Sequence, residues 1–182
     1  MAAVEMNAQE VRTYATFSAL MWTLSHPGRV QTLPWKGLAV FSAIGETLID
    51  LETSFYTPND ELEVSLIRTG GRALAPDQAM YQFYPELKEA DQARLQGAPT
   101  GTYTYPDKST TLVLGAKFGT GQKLRLSGPG ILETNTLSVD ALPDTFWRLR
   151  EQAIEYPMGW DVFLVDGCQV VGLPRTTKVE VL

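Results

Sequence analysis

The chain has 182 residues, of which 44% are hydrophobic and 20% charged, so it is long enough to bury a core and too apolar to be disordered. Its formal net charge of −6 argues against a general nucleic-acid surface, because such a surface needs positive charge to neutralise phosphates. No apolar run is long enough to span a bilayer, and the first residues lack the basic and apolar regions of a secretion signal. These features predict a cytoplasmic protein that binds neither nucleic acid nor membrane.

Hydrophobic periodicity predicts mostly helices in the first half of the chain. A helix is expected over residues 10–24, and the sequence His26-Pro27-Gly28 should end it, because proline cannot continue a helix and glycine accepts the turn. Its apolar residues recur at helical spacing and should form the buried face: Val11, Tyr14, Phe17, Leu20, Met21 and Leu24. The following elements are a helix over 38–50, a strand over 54–57, a helix over 60–68, a possible strand over 79–84 and a charged surface helix over 86–95.

The second half is predicted to be mainly β. Strands are expected over 110–117 and 122–126, paired with each other through a turn at Gly119-Thr120-Gly121, and β structure should continue over 132–139. A helix is predicted over 143–155, because Pro143-Asp144 is a favourable start, and Pro157 should end it. A final hairpin joins 160–165 to 168–173 through a two-residue type I′ turn at Asp166-Gly167. The order of elements favours one α/β domain over 1–182, with a mixed sheet and helices packed on it.

The sequence offers no self-sufficient catalytic set and implies no cofactor. One cysteine and one histidine cannot form a disulfide framework, a zinc site or an iron–sulfur site within one chain. His26 is better explained as a residue at a helix C-terminus, and Cys168 as a small core or edge residue. The two Gly-x-Gly sequences lack the third glycine of a dinucleotide fingerprint, and no phosphate-binding P-loop motif is present. We therefore predict no catalytic residue and no metal ligand.

Cations and backbone-permissive residues instead predict a contact site. Residues 1–91 hold 12 of the 21 acidic residues but only 6 of the 15 basic ones, so the second half is relatively basic. Alternation along a strand places Lys123 and Arg125 opposite Leu124 and Leu126. Amide groups in a Gly-rich loop can hold an anion, and arginine and threonine donors suit phosphate or carboxylate. The predicted ligand or partner contacts are Lys123, Arg125, Ser127, Gly128, Gly130, Arg175, Thr176 and Thr177.

Purely structural roles explain the same residues equally simply. In this alternative Lys123 protects a sheet edge, and Gly128 and Gly130 serve simply to bend the chain. The end of the chain has a clearer pattern, because Lys178 to Val181 alternates polar and apolar residues after Pro174, which cannot donate a ladder hydrogen bond. Residues 175–182 are therefore predicted to be ordered, with a bend followed by a short strand that docks Val179 and Val181 on one face.

Four segments together resemble one family, the H subunit of the bacterial carbon–phosphorus lyase core complex (PhnH). The first is Phe17-Ser-Ala-Leu-Met-Trp-Thr-Leu-Ser-His-Pro-Gly-Arg-Val30, which is similar to the family's opening helix and its Pro-Gly exit. The others follow in family order: Leu124-Arg-Leu-Ser-Gly-Pro-Gly-Ile131, Tyr156-Pro-Met-Gly-Trp-Asp161 and Leu173-Pro-Arg-Thr-Thr177. Four ordered matches along nearly the whole chain are far more specific than any single motif.

The resemblance implies a fold similar to the large domain of pyridoxal-phosphate-dependent transferases, without use of that cofactor. It implies a homodimer when alone, and a complex with the G, I and J subunits that forms ribose 1-alkylphosphonate 5-triphosphate from ATP and an alkylphosphonate. In that complex the I subunit is the catalytic centre, and the H subunit is required but non-catalytic. The alternative from the residues alone is an active small-molecule transferase with its own anion pocket at Lys123, Arg125 and Arg175.

Overall fold

Two β-sheets and five α-helices build the part of the chain that the computed structural model describes, residues 7–182. Short 3-10 turns at Glu89–Asp91 and Pro106–Lys108 interrupt the connections. In chain order the elements are α1 (Ala8–Ser25), β1 (Val30–Thr32), α2 (Leu38–Leu48), β2 (Ser54–Tyr56), α3 (Asp60–Ile67), β3 (Arg72–Ala73), β4 (Tyr81–Tyr84), α4 (Gln92–Gln96), β5 (Thr111–Gly115), β6 (Lys117–Ser127), β7 (Asn135–Asp140), α5 (Phe146–Ala153), β8 (Asp161–Asp166), β9 (Gln169–Leu173) and β10 (Lys178–Val181).

The larger sheet has seven strands in the order β1-β9-β8-β5-β4-β2-β3. Five neighbouring strands, β8, β5, β4, β2 and β3, run parallel to one another. Strand β9 pairs antiparallel with both β8 and β1. Side chains of β5 alternate between two cores: Leu112 and Leu114 pack on one face and Val113 on the other. Both faces of this sheet are therefore covered, as parallel strands require, and the predicted α/β domain with a mixed sheet is confirmed.

The smaller sheet has the antiparallel order β10-β6-β7 and packs on the face of the large sheet that also holds α5. Its long strand β6 contains Gly119 and Gly121, both with positive φ, where its register with β7 shifts between Phe118 and Gln122. The predicted turn at Gly119-Thr120-Gly121 is therefore wrong, because these glycines form an irregularity within one strand. The predicted pairing of 122–126 with 110–117 is also wrong, since β6 pairs only with β7 and β10 among the described strands.

Helix α1 lies where it was predicted, but it buries a different face. Asn7 and Glu10 cap its start reciprocally, with the Asn7 side chain accepting from the Glu10 N–H at 2.9 Å and Glu10 accepting from the Asn7 N–H at 2.7 Å. The buried residues of the helix are Thr16, Leu20 and Thr23. Most of the face expected to be buried is instead about half exposed or more, namely Val11, Tyr14, Phe17 and Met21.

The packing of α1 on β9 explains this difference. A Cβ atom at Gly172 of β9 would lie 2.8 Å from backbone atoms of Thr23 and Leu24, so the helix approaches the strand closely. Such an approach requires glycine on the strand and a small residue on the helix, which places Thr23, rather than Met21, against the sheet. Helix α1 consequently presents an apolar surface away from the core.

The charged helix, α5 and the turn of the final hairpin also differ from expectation. The charged helix predicted over 86–95 is a 3-10 turn followed by the short α4, and α5 begins three residues later and ends two residues earlier than the predicted 143–155. In the hairpin, Asp166 pairs with Gln169, so the turn residues are Gly167 and Cys168. Among them only Gly167 has positive φ, so a type I′ turn is ruled out. Asp166 remains in the strand, where it accepts a hydrogen bond from the Phe118 N–H at 3.0 Å.

The end of the chain forms the predicted ordered strand. Strand β10 runs antiparallel to β6, with Val179 opposite Leu126 and Val181 opposite Leu124. Val179 packs against the core, as predicted. Val181 remains 47% exposed, so the prediction that both valines dock is wrong for Val181. The predicted bend before the strand is present at Arg175 and Thr176.

Two expectations about the whole chain remain predictions: the likeness to the large domain of pyridoxal-phosphate-dependent transferases, and a domain spanning all of 1–182, of which residues 1–6 lie outside the described part. Within residues 7–182, no helix combines the length and apolar character needed to cross a membrane.

We expect Gly172→Ala to destabilise the chain by about 1–3 kcal/mol, because the new Cβ must displace the backbone of α1. Gly97→Ala is the matched control, since its Cβ would meet its nearest neighbours at ordinary distances of 3.6 and 3.8 Å. Urea unfolding of both variants measures the difference. Equal stability of the two variants would show that α1 is not held against β9 as described.

Removal of residues 175–182 should lower the melting temperature by about 5 °C or more, because β6 loses its partner β10 and the core loses Val179. Val179→Ala should reproduce part of this loss, and Val181→Ala, at the exposed position, should have a smaller effect. Differential scanning calorimetry compares the three variants. If the truncated chain has the same melting temperature as the full-length protein, the tail contributes nothing to the fold.

Candidate functional site

A groove of about 470 Å³ lies beside β10, and we call it the tail groove. Three elements supply its walls: β6, helix α5, and the segment from the bend at Arg175 through β10. Its polar and charged lining includes Arg125, Ser127, Trp147, Arg150, Arg175 and Thr177. The long-range pairing of β6 with β10 brings these residues together, although they are far apart in sequence.

The tail groove gathers four of the eight predicted contact residues: Arg125, Ser127, Arg175 and Thr177. The other four, Lys123, Gly128, Gly130 and Thr176, do not line it. A Cβ at Gly128 would lie 2.7 Å from the carbonyl oxygen of Thr176, and one at Gly130 would lie 2.5 Å from that of Ser25. Close backbone packing therefore explains why both positions hold glycine.

Arg175 lies at the rim of the groove, with its guanidinium already engaged. Its Nη2 lies 2.6 Å from Asp161 Oδ2, its Nε donates to Asp161 Oδ1 at 3.3 Å, and its Nη1 donates to the Pro106 carbonyl at 2.6 Å. The Arg175 side chain is only 17% exposed. This fork fastens the bend before β10 to the first residue of β8.

Arg125 is bound less firmly. Its side chain points away from the Leu124 and Leu126 face, as predicted, and its Nη1 lies 3.0 Å from Glu180 Oε2. Both members of this ion pair are about half exposed, and such pairs contribute at most about 1 kcal/mol. A ligand could therefore displace Glu180 from Arg125 at small cost.

Sequence analysis missed Arg150, the most deeply buried charge of the groove. This residue of α5 is 2% exposed, and it donates to the carbonyls of Pro174 at 2.9 Å and Thr177 at 3.2 Å. Within residues 7–182 no carboxylate lies within 4.0 Å of it. Burial lowers the pKa of Arg150 to about 10, against the opposing attraction of Asp161, so the guanidinium stays charged at neutral pH. A signal existed, since Arg150 follows the buried Phe146 by four positions and shares its face of α5.

The buried residues of the groove offer hydrogen-bond donors. Its floor holds three buried polar atoms without a hydrogen-bond partner, the Trp147 Nε1, the Arg150 Nε and the Thr177 Oγ1. His26 lies elsewhere, stacked on Trp22 with 4.2 Å between the ring centroids, and Cys168 lies in the hairpin turn. Across residues 7–182, no cluster of three or more His, Cys, Asp or Glu side chains is arranged to hold a metal. The arrangement can bind an acceptor-rich group.

Arg175→Lys should destabilise the fold by about 1–3 kcal/mol, because lysine cannot keep both contacts to Asp161 and the contact to Pro106. Arg125→Lys, which alters an exposed ion pair, should change stability by no more than about 0.5 kcal/mol. Urea denaturation gives both values. If Arg175→Lys is as stable as Arg125→Lys, Arg175 is not part of the architecture.

Comparison with known proteins identifies a family and two relatives that this chain resembles. The sequence profile of the family described as "Bacterial phosphonate metabolism protein (PhnH)" matches residues 5–180. The "Putative C-P lyase subunit protein HtxG" of Stutzerimonas stutzeri is 33% identical over 177 residues, which cover 94% of this chain and 88% of that protein. The "Alpha-D-ribose 1-methylphosphonate 5-triphosphate synthase subunit PhnH" of Rhizobium meliloti (strain 1021) is 43% identical over 83 residues, which cover 44% of this chain and 41% of that protein.

Proposed function

This chain belongs to the PhnH family of bacterial phosphonate metabolism proteins, and we propose that it is a required, non-catalytic subunit of the carbon–phosphorus lyase core complex. The resemblance that four sequence segments indicated is confirmed. In the proposed role the subunit supports the formation of ribose 1-alkylphosphonate 5-triphosphate from ATP and an alkylphosphonate. Its partners would be the G, I and J subunits, and alone it would be a cytoplasmic homodimer.

One observation carries this proposal: the match to the "Putative C-P lyase subunit protein HtxG" covers 94% of the chain. The buried side chains of the tail groove are consistent with a non-catalytic role, because Arg150 and Trp147 can donate hydrogen bonds but cannot act as a general base at neutral pH. The two carboxylates of the lining, Glu151 and Glu180, belong to exposed residues. The exposed apolar side chains of α1 also suit a protein that works within an assembly, because large exposed apolar patches often mark interaction sites.

A second candidate is an active small-molecule transferase that uses the tail groove as its own anion pocket. The observation in its favour is the accumulation of Arg125, Arg150 and Arg175 around one groove. Two of these cations are held by Glu180 and Asp161, and a transferase would also need a group that activates its nucleophile. The subunit role requires no such group, and we favour it.

Coexpression with the G, I and J subunits tests the proposed role. The tagged chain should copurify with them, and the complete set should consume ATP and methylphosphonate while the set lacking this chain should not. The purified chain alone should be a dimer by light scattering and show no turnover, because in the proposed role the chemistry belongs to the partner subunits.

Two results would contradict the proposal, and they point in different directions. Steady turnover of ATP and methylphosphonate by the isolated chain would favour the transferase alternative. Failure to copurify, together with full activity of the set that lacks this chain, would remove the subunit role.

A further inference from the structure

The floor of the tail groove leaves three buried polar groups without partners. Trp147, Arg150 and Thr177 are 5%, 2% and 1% exposed, and their Nε1, Nε and Oγ1 atoms form no hydrogen bond. Buried polar groups are nearly always paired, because an unpaired one loses its water without compensation. All three residues line the tail groove, so an acceptor group that enters the groove is the nearest candidate partner for these atoms.

The nature of these atoms defines the missing group. An indole N–H can only donate, a guanidinium N–H can only donate, and a threonine hydroxyl can donate. The two terminal nitrogens of Arg150 are fixed by the carbonyls of Pro174 and Thr177, so its Nε cannot turn away to find another partner. The complementary group must therefore offer several acceptor oxygens within a small space.

Charge selects among the acceptors. Arg150 carries a buried positive charge with only neutral carbonyl partners, which is an expensive arrangement unless an anion compensates it. The rim adds Lys178, for which no ion pair is present within residues 7–182, and Arg125, whose ion pair with Glu180 is largely exposed. The lining has two acidic residues, Glu180, which pairs with Arg125, and Glu151, which has no cationic partner there. The cationic side chains of the lining outnumber them, so the groove carries a positive excess in an acidic protein.

We propose that the tail groove is a binding site for an oxyanion, a phosphate, phosphonate or carboxylate group, held by Trp147, Arg150 and Thr177 on its floor. Each of these anions has enough acceptor oxygens for the three donors, and charge-assisted bonds to arginine are the strongest that side chains form. A volume of about 470 Å³ is within the range of small-molecule sites. This inference goes beyond the proposed function, because a subunit of a complex requires no ligand site of its own.

Two conservative variants test the site because each removes a single unpartnered donor. Thr177→Val replaces the hydroxyl by a methyl group of similar size, and Trp147→Phe removes the indole N–H while keeping an aromatic ring. Since the Thr177 hydroxyl has no partner in the fold, unliganded Thr177→Val should be as stable as the parent chain or slightly more stable. Unliganded Trp147→Phe should lose some stability, because the smaller ring leaves part of the core volume around Trp147 unfilled. Each should weaken anion binding about tenfold, because it deletes one hydrogen bond to a charged group. Arg150 is a poorer choice, because its loss would also release two carbonyls of the tail.

Isothermal titration calorimetry of the purified full chain at low ionic strength provides the measurement. The probes are inorganic phosphate, methylphosphonate, acetate and citrate, titrated separately so that phosphorus oxyanions are distinguished from carboxylates. Ser109→Ala is the matched control, since the Ser109 Oγ is also buried and unpartnered but lies outside the groove. Saturable binding of at least one probe, weakened in Thr177→Val and Trp147→Phe but unchanged in Ser109→Ala, would support the site.

The site is overturned if no probe binds saturably, or if both variants bind as tightly as the parent chain. A fall in melting temperature without any change in affinity would likewise show that the two groups serve only the fold. Copurification with the other subunits is scored separately, so a chain that assembles but binds no anion would refute this site and leave the proposed function intact.

Discussion

The bend between β9 and β10 is the junction on which the second half of the molecule depends. It is the point where the chain leaves the seven-stranded sheet and enters the three-stranded one. Arg175 joins the bend to Asp161 at the start of β8, and Arg150 joins its two ends to helix α5 through the carbonyls of Pro174 and Thr177. Two arginines thus set the position of β10 relative to both sheets, and the shape of the tail groove follows from that position.

The desolvation cost of burying the charge is offset differently at the two arginines. Arg175 is partly exposed and has a carboxylate in fork geometry, so its charge is neutralised within the fold. Arg150 is more deeply buried and has only carbonyl dipoles, so its field extends into the groove. The first arrangement stabilises a junction, and the second leaves a site that favours negative charge. The same few residues therefore account for both the fold of the tail and the electrostatics beside it.

Local periodicity was enough to predict the elements whose signals are local. The positions of α1 and α3, the strand of the tail and the alternation of Lys123 to Leu126 all follow from residues within a few positions of one another. Errors arose where a distant part of the chain decides the outcome. The buried face of α1 is set by Gly172, about 150 positions away, and the glycines at 119 and 121 form an irregularity only because β7 continues to pair beyond them. Arg150 was missed because a charged residue on a helix is usually solvated, and only the arrival of the tail buries it.

The close contact between α1 and β9 also bears on how this sequence can drift over evolutionary time. Position 172 has no room for a side chain because the helix backbone occupies that space, and Thr23 contributes its own hydroxyl to the same crowding. A larger residue at 172 becomes acceptable only if the helix moves outward, which would uncover Leu20 and open the core beneath it. Substitution at this strand position is thus linked to compensating changes along a whole turn of α1. The contact therefore couples the side chains allowed at residues 20–24 to the one allowed at 172, although nearly the entire chain separates them.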